Sequence, residues 1–373
     1  MTPTEQLRDD AIQIWRAGVE GVTPARLFRE KVQLDGTRLI VEGGGPEPLE
    51  IELAAVRRLI VVGAGKAAAA MAIALQQVVI DRLAISLPEL EIEGWINVPA
   101  DTFSLEDTKA LKQIQLYAAR PPGIHAPTEA AIVGTQRILD LVSSCDQRDC
   151  VICLLSGGGS ALLVAPAPGV TLFDKQAVAR QVAAAGGNIE QLNAVRRPLS
   201  QVKGGGLART CRAGRLLTLI LSDVLGDALE IIASGPTVCA AAADYFQVSK
   251  RDEASRALGV LDVLGLSDSP SLASVVSALQ LQSQSAIRSM TRRNDCPTIV
   301  EHVILGNNAD AVDAAGVKAV ELGYRYVMQS AQRVEGDVFQ VAHSAVDAIE
   351  QLASQDQIDC WISGGEPTVT LPT

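Results

Sequence analysis

Aromatic residues are scarce: Phe, Trp and Tyr together make up 3% of the 373 residues. The core must therefore be built from Leu, Ile, Val and Ala, within a chain that is 48% hydrophobic. Basic residues are also short, 32 against 43 acidic, which leaves a net charge of −11. An acidic chain with few rings to stack on bases is not a general nucleic-acid binder. Histidine occurs three times, at His125, His302 and His343, too far apart in sequence to show a metal triad or a catalytic dyad. The seven cysteines are odd in number and scattered, which fits reduced thiols and a cytoplasmic chain. Cys150 and Cys153 form a CxxC without a second pair, so they read as strand packing rather than a zinc site. The N-terminus is polar and acidic, unlike a signal peptide. The uncharged run over 150–173 is broken by Gly, Pro and Ser and cannot be a membrane helix.

The chain has what an α/β protein needs. Its length exceeds what one core usually organises, so two domains are expected, with a further unit beginning near Ile299. Apolar positions recur at helical spacing over 4–33, with Thr23 as an N-cap and Pro24 in the first turn. Buried strands are expected at 58–62, 92–98, 150–155 and 215–221, with shorter ones at 303–305, 324–328 and 360–362. Helices are expected from the glycine turn at 63–66 to about Ile80, and over 105–118, 127–142, 170–184, 309–323 and 338–353. The stretch 250–290 reads as helical, polar and superficial. Alternation of this kind means a doubly wound, mostly parallel, Rossmann-like sheet with a second, smaller α/β domain.

Chemistry concentrates in four places. Asn193, Arg196, Ser200 and Lys203 are spaced to share one face of a helix, where an amide, a guanidinium, a hydroxyl and an ammonium would hold an anion. The glycine run 204–206 would end that helix, and Pro198 would kink it. Gly63, Gly65 and Ala68 fit G-x-G-x-x-A after a strand, and Lys66 sits where a helix N-terminus disfavours a cation unless an anion shares the site. Ser156, Gly157, Gly158, Gly159 and Ser160 follow another strand and can form a nest of amides. Asp223 lies just past a strand's carboxyl end, placed to bind magnesium, to act as a base, or simply to cap a helix.

Together these motifs resemble the glycerate 2-kinases, two-domain proteins with a C-terminal MOFRL domain. The matching stretches are VVGAGKAA at 61–68, LLSGGGSALL at 154–163, GVTLFDK at 169–175 and NAVRRPLSQVKGGGLA at 193–208. LSDVLGD at 221–227, IASGPTV at 232–238, GNNADA at 306–311 and SGGEPTV at 363–369 complete the series. The resemblance implies ATP-dependent phosphorylation of D-glycerate to 2-phosphoglycerate with Mg2+, in a cleft between domains. It implies a catalytic Lys66 and a catalytic or metal-binding Asp223. Gly63, Gly65, the 156–160 loop, Asn193, Arg196, Lys203, Asn307 and Glu366 would hold substrate or phosphate. Residues 1–298 would be the Rossmann-like kinase domain and 299–373 the start of a truncated MOFRL-type domain. The partners implied are D-glycerate and ATP, with no nucleic acid or membrane, and a homodimer is compatible with them. Arg197-Pro198 and Gly206 depart from the family's Lys-His pair and basic residue. The glycine fingerprint also fits a second enzyme, an NAD(P)H-dependent hydroxypyruvate reductase, although no ribose-binding acid follows at the usual distance. A catalytically inactive ligand-binding relative is the third reading.

Overall fold

A computed structural model describes residues 2–43, 45–124, 126–238, 250–284, 298–331, 336–353 and 358–369. His125, Cys239, Cys296 and the end of the helical stretch expected to reach 290 lie outside those residues. The chain starts with helices Pro3–Gly21 and Pro24–Lys31. A three-stranded antiparallel sheet follows, made of β1 (Val32–Asp35), β2 (Arg38–Val41) and β3 (Leu49–Glu52). The main sheet contains β4 (Arg58–Ala64), β5 (Glu91–Pro99), β6 (Ile114–Arg120), β7 (Cys150–Ser156), β8 (Arg215–Leu221) and β9 (Ile299–Gly306). Its order is β6-β5-β4-β7-β8-β9, and every pairing is parallel. The strand that was expected to open a second domain thus forms an edge of this sheet. A separate parallel pair joins β10 (Tyr326–Ser330) to β11 (Cys360–Gly364).

The sequence of the central strands explains their position. β4 and β7 are apolar at nearly every residue, as strands covered on both faces must be. Leu59, Val61, Ile152 and Leu154 face one core together with the helical run that starts at Ala68. Ile60, Val62, Val151 and Cys153 face the other, against helix Glu129–Ser143. That period of two puts successive side chains into opposite layers. The helical run Ala68–Ser86, with a π turn at Gln76–Ile80, is long and apolar enough to cross a membrane, yet 56% of it is buried inside the protein. The free thiols of Cys145 and Cys150 are buried, which pushes both up to about 12 and leaves them packing groups.

Two expectations change. The helix expected over 105–118 stops at Ala110, and Ile114–Arg120 is the edge strand β6 paired with β5. Half-exposed along most of its length, that strand lacks the continuous apolar run of its neighbours. The polar region over 250–290 is not merely superficial. Ala254, Ala257 and Leu261 of helix Lys250–Val263 join Val275 and Leu279 of helix Ala273–Gln284 in a third apolar cluster. It packs on Val178 and Val182 of helix Leu172–Ala184 and on Val195 of helix Ile189–Arg196, and so holds these two helices in place.

Candidate functional site

The carboxyl ends of the parallel strands form one edge of the sheet, where open α/β folds build their sites. At the end of β4, Gly63 and Gly65 are required by packing. A Cβ on Gly63 would overlap the Leu154 carbonyl, and one on Gly65, whose φ is +151°, would overlap Ser156 Oγ. The amides that follow bond within the chain. Gly65 donates to Asn97 O at 3.3 Å, Lys66 to Gly157 O at 2.9 Å and Ala67 to Ser156 Oγ at 3.0 Å. These glycines seat the first turn against the loop after β7 and carry Lys66 to it. The Lys66 side chain lies along Gly158, where a Cβ would meet its Cγ at 3.4 Å and its Cε at 3.5 Å.

The loop after β7 is the more open one. Gly158 has φ +78° and starts the short helix Gly159–Leu162. The amides of Gly158, Gly159 and Ser160 have no acceptor among the described residues, so one short turn carries three unbonded donors. Asp223, at the end of β8, reaches the same loop from the other side: a Cβ on Gly157 would overlap its Oδ2. Lys66 and Asp223 are both exposed, and they lie against adjacent glycines.

The segment after β8 is strained. Asp227, Ala233 and Ser234 have φ of 54°, 50° and 64°, the three non-glycine residues with positive φ among the described residues. Such conformations cost about 1–3 kcal/mol each and persist where surrounding contacts enforce them. Ser234 Oγ hydrogen-bonds Ser160 Oγ at 2.7 Å, and its carbonyl accepts from Gly204 N at 3.0 Å. One strained turn therefore ties the glycine loop to the basic segment at 196–206.

That segment departs from the single helix face expected of it. The helix Ile189–Arg196 ends at Arg196, because Pro198 has no N–H to continue it. Asn193 is exposed on it, one turn before Arg196. Ser200 is buried and structural: its Oγ donates to Ala165 O and accepts from the amides of Val202 and Lys203, each at 3.4 Å. The glycines begin a helix rather than end one, with Gly205 (φ +79°) capping Gly206–Thr210. Arg196, and Lys175 of helix Leu172–Ala184, are near enough to Lys203 to lower its pKa. Lys203 is 8% exposed. Burial first, then Arg196 and Lys175, push it down to about 7. Burial and Arg196 push Lys175 down to about 8, and burial lowers Arg196. Among the described residues no carboxylate lies within 4.0 Å of these three cations or of Lys66.

Asn307 caps helix Asn308–Glu321 and donates to Asp227 Oδ2 at 2.6 Å, while Asp227 Oδ1 is buried without a partner. Glu366 is exposed beyond β11, and no hydrogen bond among the described residues ties it to the loop. Sequence reasoning passed over Lys175 and Asp227. Both stand inside motifs quoted above, GVTLFDK and LSDVLGD, and those motifs were the available signal.

Fold and site together define an α/β protein with a glycine nest and unpaired cations along one sheet edge. Residues 10–262 match the family described as "Domain of unknown function (DUF4147)". A glycerate kinase of Danio rerio is 35% identical over 351 residues, covering 90% of this chain and 63% of that protein. The glycerate kinase of Homo sapiens is 31% identical, covering 98% and 73%. The crystal structure of glycerate kinase from Thermotoga maritima aligns with a TM-score of 0.71 at 26% identity, over 99% of this chain and 76% of that one. On these matches the chain belongs to the glycerate kinase family. It spans less than two thirds of the length of the Danio rerio relative.

Proposed function

We propose that this chain transfers the γ-phosphoryl group of ATP to the 2-hydroxyl of D-glycerate, with Mg2+, giving 2-phosphoglycerate and ADP. The observation that carries the reading is the meeting of Lys66, Asp223 and the free amides of Gly158–Ser160 on one loop. Phosphoryl transfer depends on positioning and charge neutralisation more than on a nucleophilic side chain. The amides cradle phosphate oxygens, and Lys66, with no carboxylate within 4.0 Å among the described residues, neutralises charge on the group in transit. Arg196 and Lys203 hold an anionic group of the substrate. Asn193, Asn307 and Glu366 remain proposed contacts at the rim.

Mg2+ fits the donor set. It usually takes one or two carboxylates and completes its shell with water and substrate phosphates. Asp223 is an exposed carboxylate at the loop, and Asp227 Oδ1 is a buried oxygen without a partner close behind it in the chain. Among the described residues no group of three acidic, Cys or His side chains could bind the ion without the nucleotide. When bound, Mg2+ would supply charge neutralisation at the phosphates.

The reductase reading fits less well. Gly63 and Gly65 are accounted for by contact with β7 and Ser156, and the amides after them are already bonded. β5 ends in Asn97-Val98-Pro99, with Asn97 buried and its Nδ2 donating to Leu162 O at 2.9 Å. Paired assays separate the two: ADP and phosphoglycerate formation from D-glycerate, ATP and Mg2+, against NADH loss with hydroxypyruvate. Turnover in the first alone is expected, and turnover in the second alone would overturn the reading.

A further inference from the structure

We propose that Asn97 is a positioning residue for the glycine loop after β7: its side-chain amide holds the far end of that loop and so sets where the free amides of Gly158–Ser160 lie. The chemistry done on the loop rests on the kinase reading above; the tether does not.

The loop is anchored at both ends. In front, Lys66 N donates to Gly157 O at 2.9 Å and Ala67 N to Ser156 Oγ at 3.0 Å. Behind, the short helix Gly159–Leu162 ends in a carbonyl that no backbone amide reaches among the described residues. Leu162 O accepts instead from side chains, Asn97 Nδ2 at 2.9 Å and Thr135 Oγ1 at 3.2 Å. Val164 N donates to the same Thr135 hydroxyl at 2.9 Å. The three unbonded amides lie between these anchors. Asn97 also serves the first glycine turn, because its own carbonyl accepts from Gly65 N at 3.3 Å. One residue near the carboxyl end of β5 therefore bonds both loops, the one carrying Lys66 and the one carrying the amides.

The choice of asparagine is chemical. Asn97 is fully buried. The indole N–H of Trp95 donates to Asn97 Oδ1 at 3.0 Å, and an indole can only donate, whereas the Leu162 carbonyl can only accept. The orientation of the amide is thereby fixed, and neither Leu nor an ionised Asp could serve both partners. Gly134 of helix Glu129–Ser143 makes room for it: a Cβ there would overlap Asn97 Oδ1. The layer between the sheet and that helix is mostly apolar, with Ile138, Leu139 and Leu163 among its residues. A polar group buried in such a layer costs free energy unless its bonds are made, and a fully bonded network is rigid. An apolar side chain would fill the same space without a network. What it could not do is fix the Leu162 carbonyl.

The test compares Asn97→Leu, Trp95→Phe and Gly134→Ala in the full chain. Each is read by steady-state kinetics with D-glycerate, ATP and Mg2+, by a thermal melt, and by hydrogen–deuterium exchange over 157–164. Asn97→Leu keeps the volume and removes the donor. It should lower kcat roughly 10- to 100-fold, since a shift of about 1 Å in a positioned group can cost that much, hold KM for D-glycerate within a few-fold, and speed exchange in the loop. Trp95→Phe breaks the same network on its other side and leaves the Leu162 bond. It should lower the melting temperature with kcat and loop exchange near wild type. Gly134→Ala alters no group of the network but displaces the amide, so it should repeat the Asn97→Leu pattern, and it stands alone if Asn97→Leu does not fold. Equal kcat losses in Asn97→Leu and Trp95→Phe would overturn the inference, as would a lower melting temperature in Asn97→Leu with kcat and loop exchange unchanged. Faster loop exchange confined to Asn97→Leu and Gly134→Ala, in a chain that does not phosphorylate D-glycerate, would uphold the tether and overturn the kinase reading.

Discussion

The two ends of the six-stranded sheet treat charge in opposite ways. At the amino end, Asp149 has a fully buried side chain between Arg57 and Arg58, with Oδ2 at 3.0 and 2.7 Å from their Nη2 atoms. Burial works against its ionisation, but Arg58, the Asp146 amide and Arg57 together hold its carboxyl below the usual range. At the carboxyl end, Lys66, Lys175, Arg196 and Lys203 have no carboxylate partner within 4.0 Å among the described residues, and Lys66 lies along Gly158. Charge that the fold needs arrives already paired. Charge left unpaired at a sheet edge is kept for something outside the chain.

Substitutions at the two ends should therefore separate stability from catalysis. Lys66→Met keeps the aliphatic stem and removes the charge. It should lower kcat/KM by roughly 10²–10³, about 3–4 kcal/mol, without moving the melting temperature. Steady-state kinetics and a thermal melt on one preparation read both. Asp149→Ala should behave in reverse, losing about 1–3 kcal/mol of stability as Arg58 loses its buried partner, while Arg57 keeps Asp146 at 2.9 Å and kcat/KM holds. Because the folded Asp149 has a lowered pKa, its contribution is present above about pH 4 and fades as acid protonates it. Denaturant melts across pH 3–7 should show that acid limb flatten in the variant.

Gly157→Ala is the finer probe. Its Cβ would displace the Asp223 carboxylate, and a shift of about 1 Å can cost up to about 10²-fold in rate. The expected sign is a kcat loss with an intact fold, seen against Gly259→Ala, where an added Cβ meets nothing within 4 Å and the backbone is not left-handed. A separate effect, read in stability alone, concerns Lys203. Its folded pKa near 7 lies below the unfolded value, so its burial cost is present below pH 7 and relieved as pH rises toward about 10. Without ligand, the protein should gain stability over that window. Lys203→Met should flatten the gain and raise the melting temperature at pH 7.

Much of the fold was legible in the sequence, for physical reasons. A parallel strand covered on both faces reads as an unbroken apolar run, which is why β4, β7 and β8 stand out. β6 escaped because, as an edge strand, it mixes buried and half-exposed residues and passes for the tail of a helix. The loops at 63–66 and 156–160 were visible as glycines after strands. Their inequality was not visible, since only the contacts show that the first is closed on itself and the second has free amides. Arg196 and Lys203 could be singled out because they are close in sequence. Their geometry was misjudged because Pro198 ends the helix between them. Lys175 comes from another helix, and a long-range meeting leaves no local period to read.

The central claim is that phosphoryl transfer occurs at the glycine loop of β7, with the acid anchored on Arg196 and Lys203. The most direct measurement is a crystal structure of the chain with a non-hydrolysable ATP analogue, Mg2+ and D-glycerate. It should show the terminal phosphate on the amides of Gly158–Ser160 beside Lys66 and Asp223, and the glycerate carboxylate beside Arg196 and Lys203. A nucleotide bound away from that loop, or a glycerate carboxylate with no contact to those cations, would contradict it.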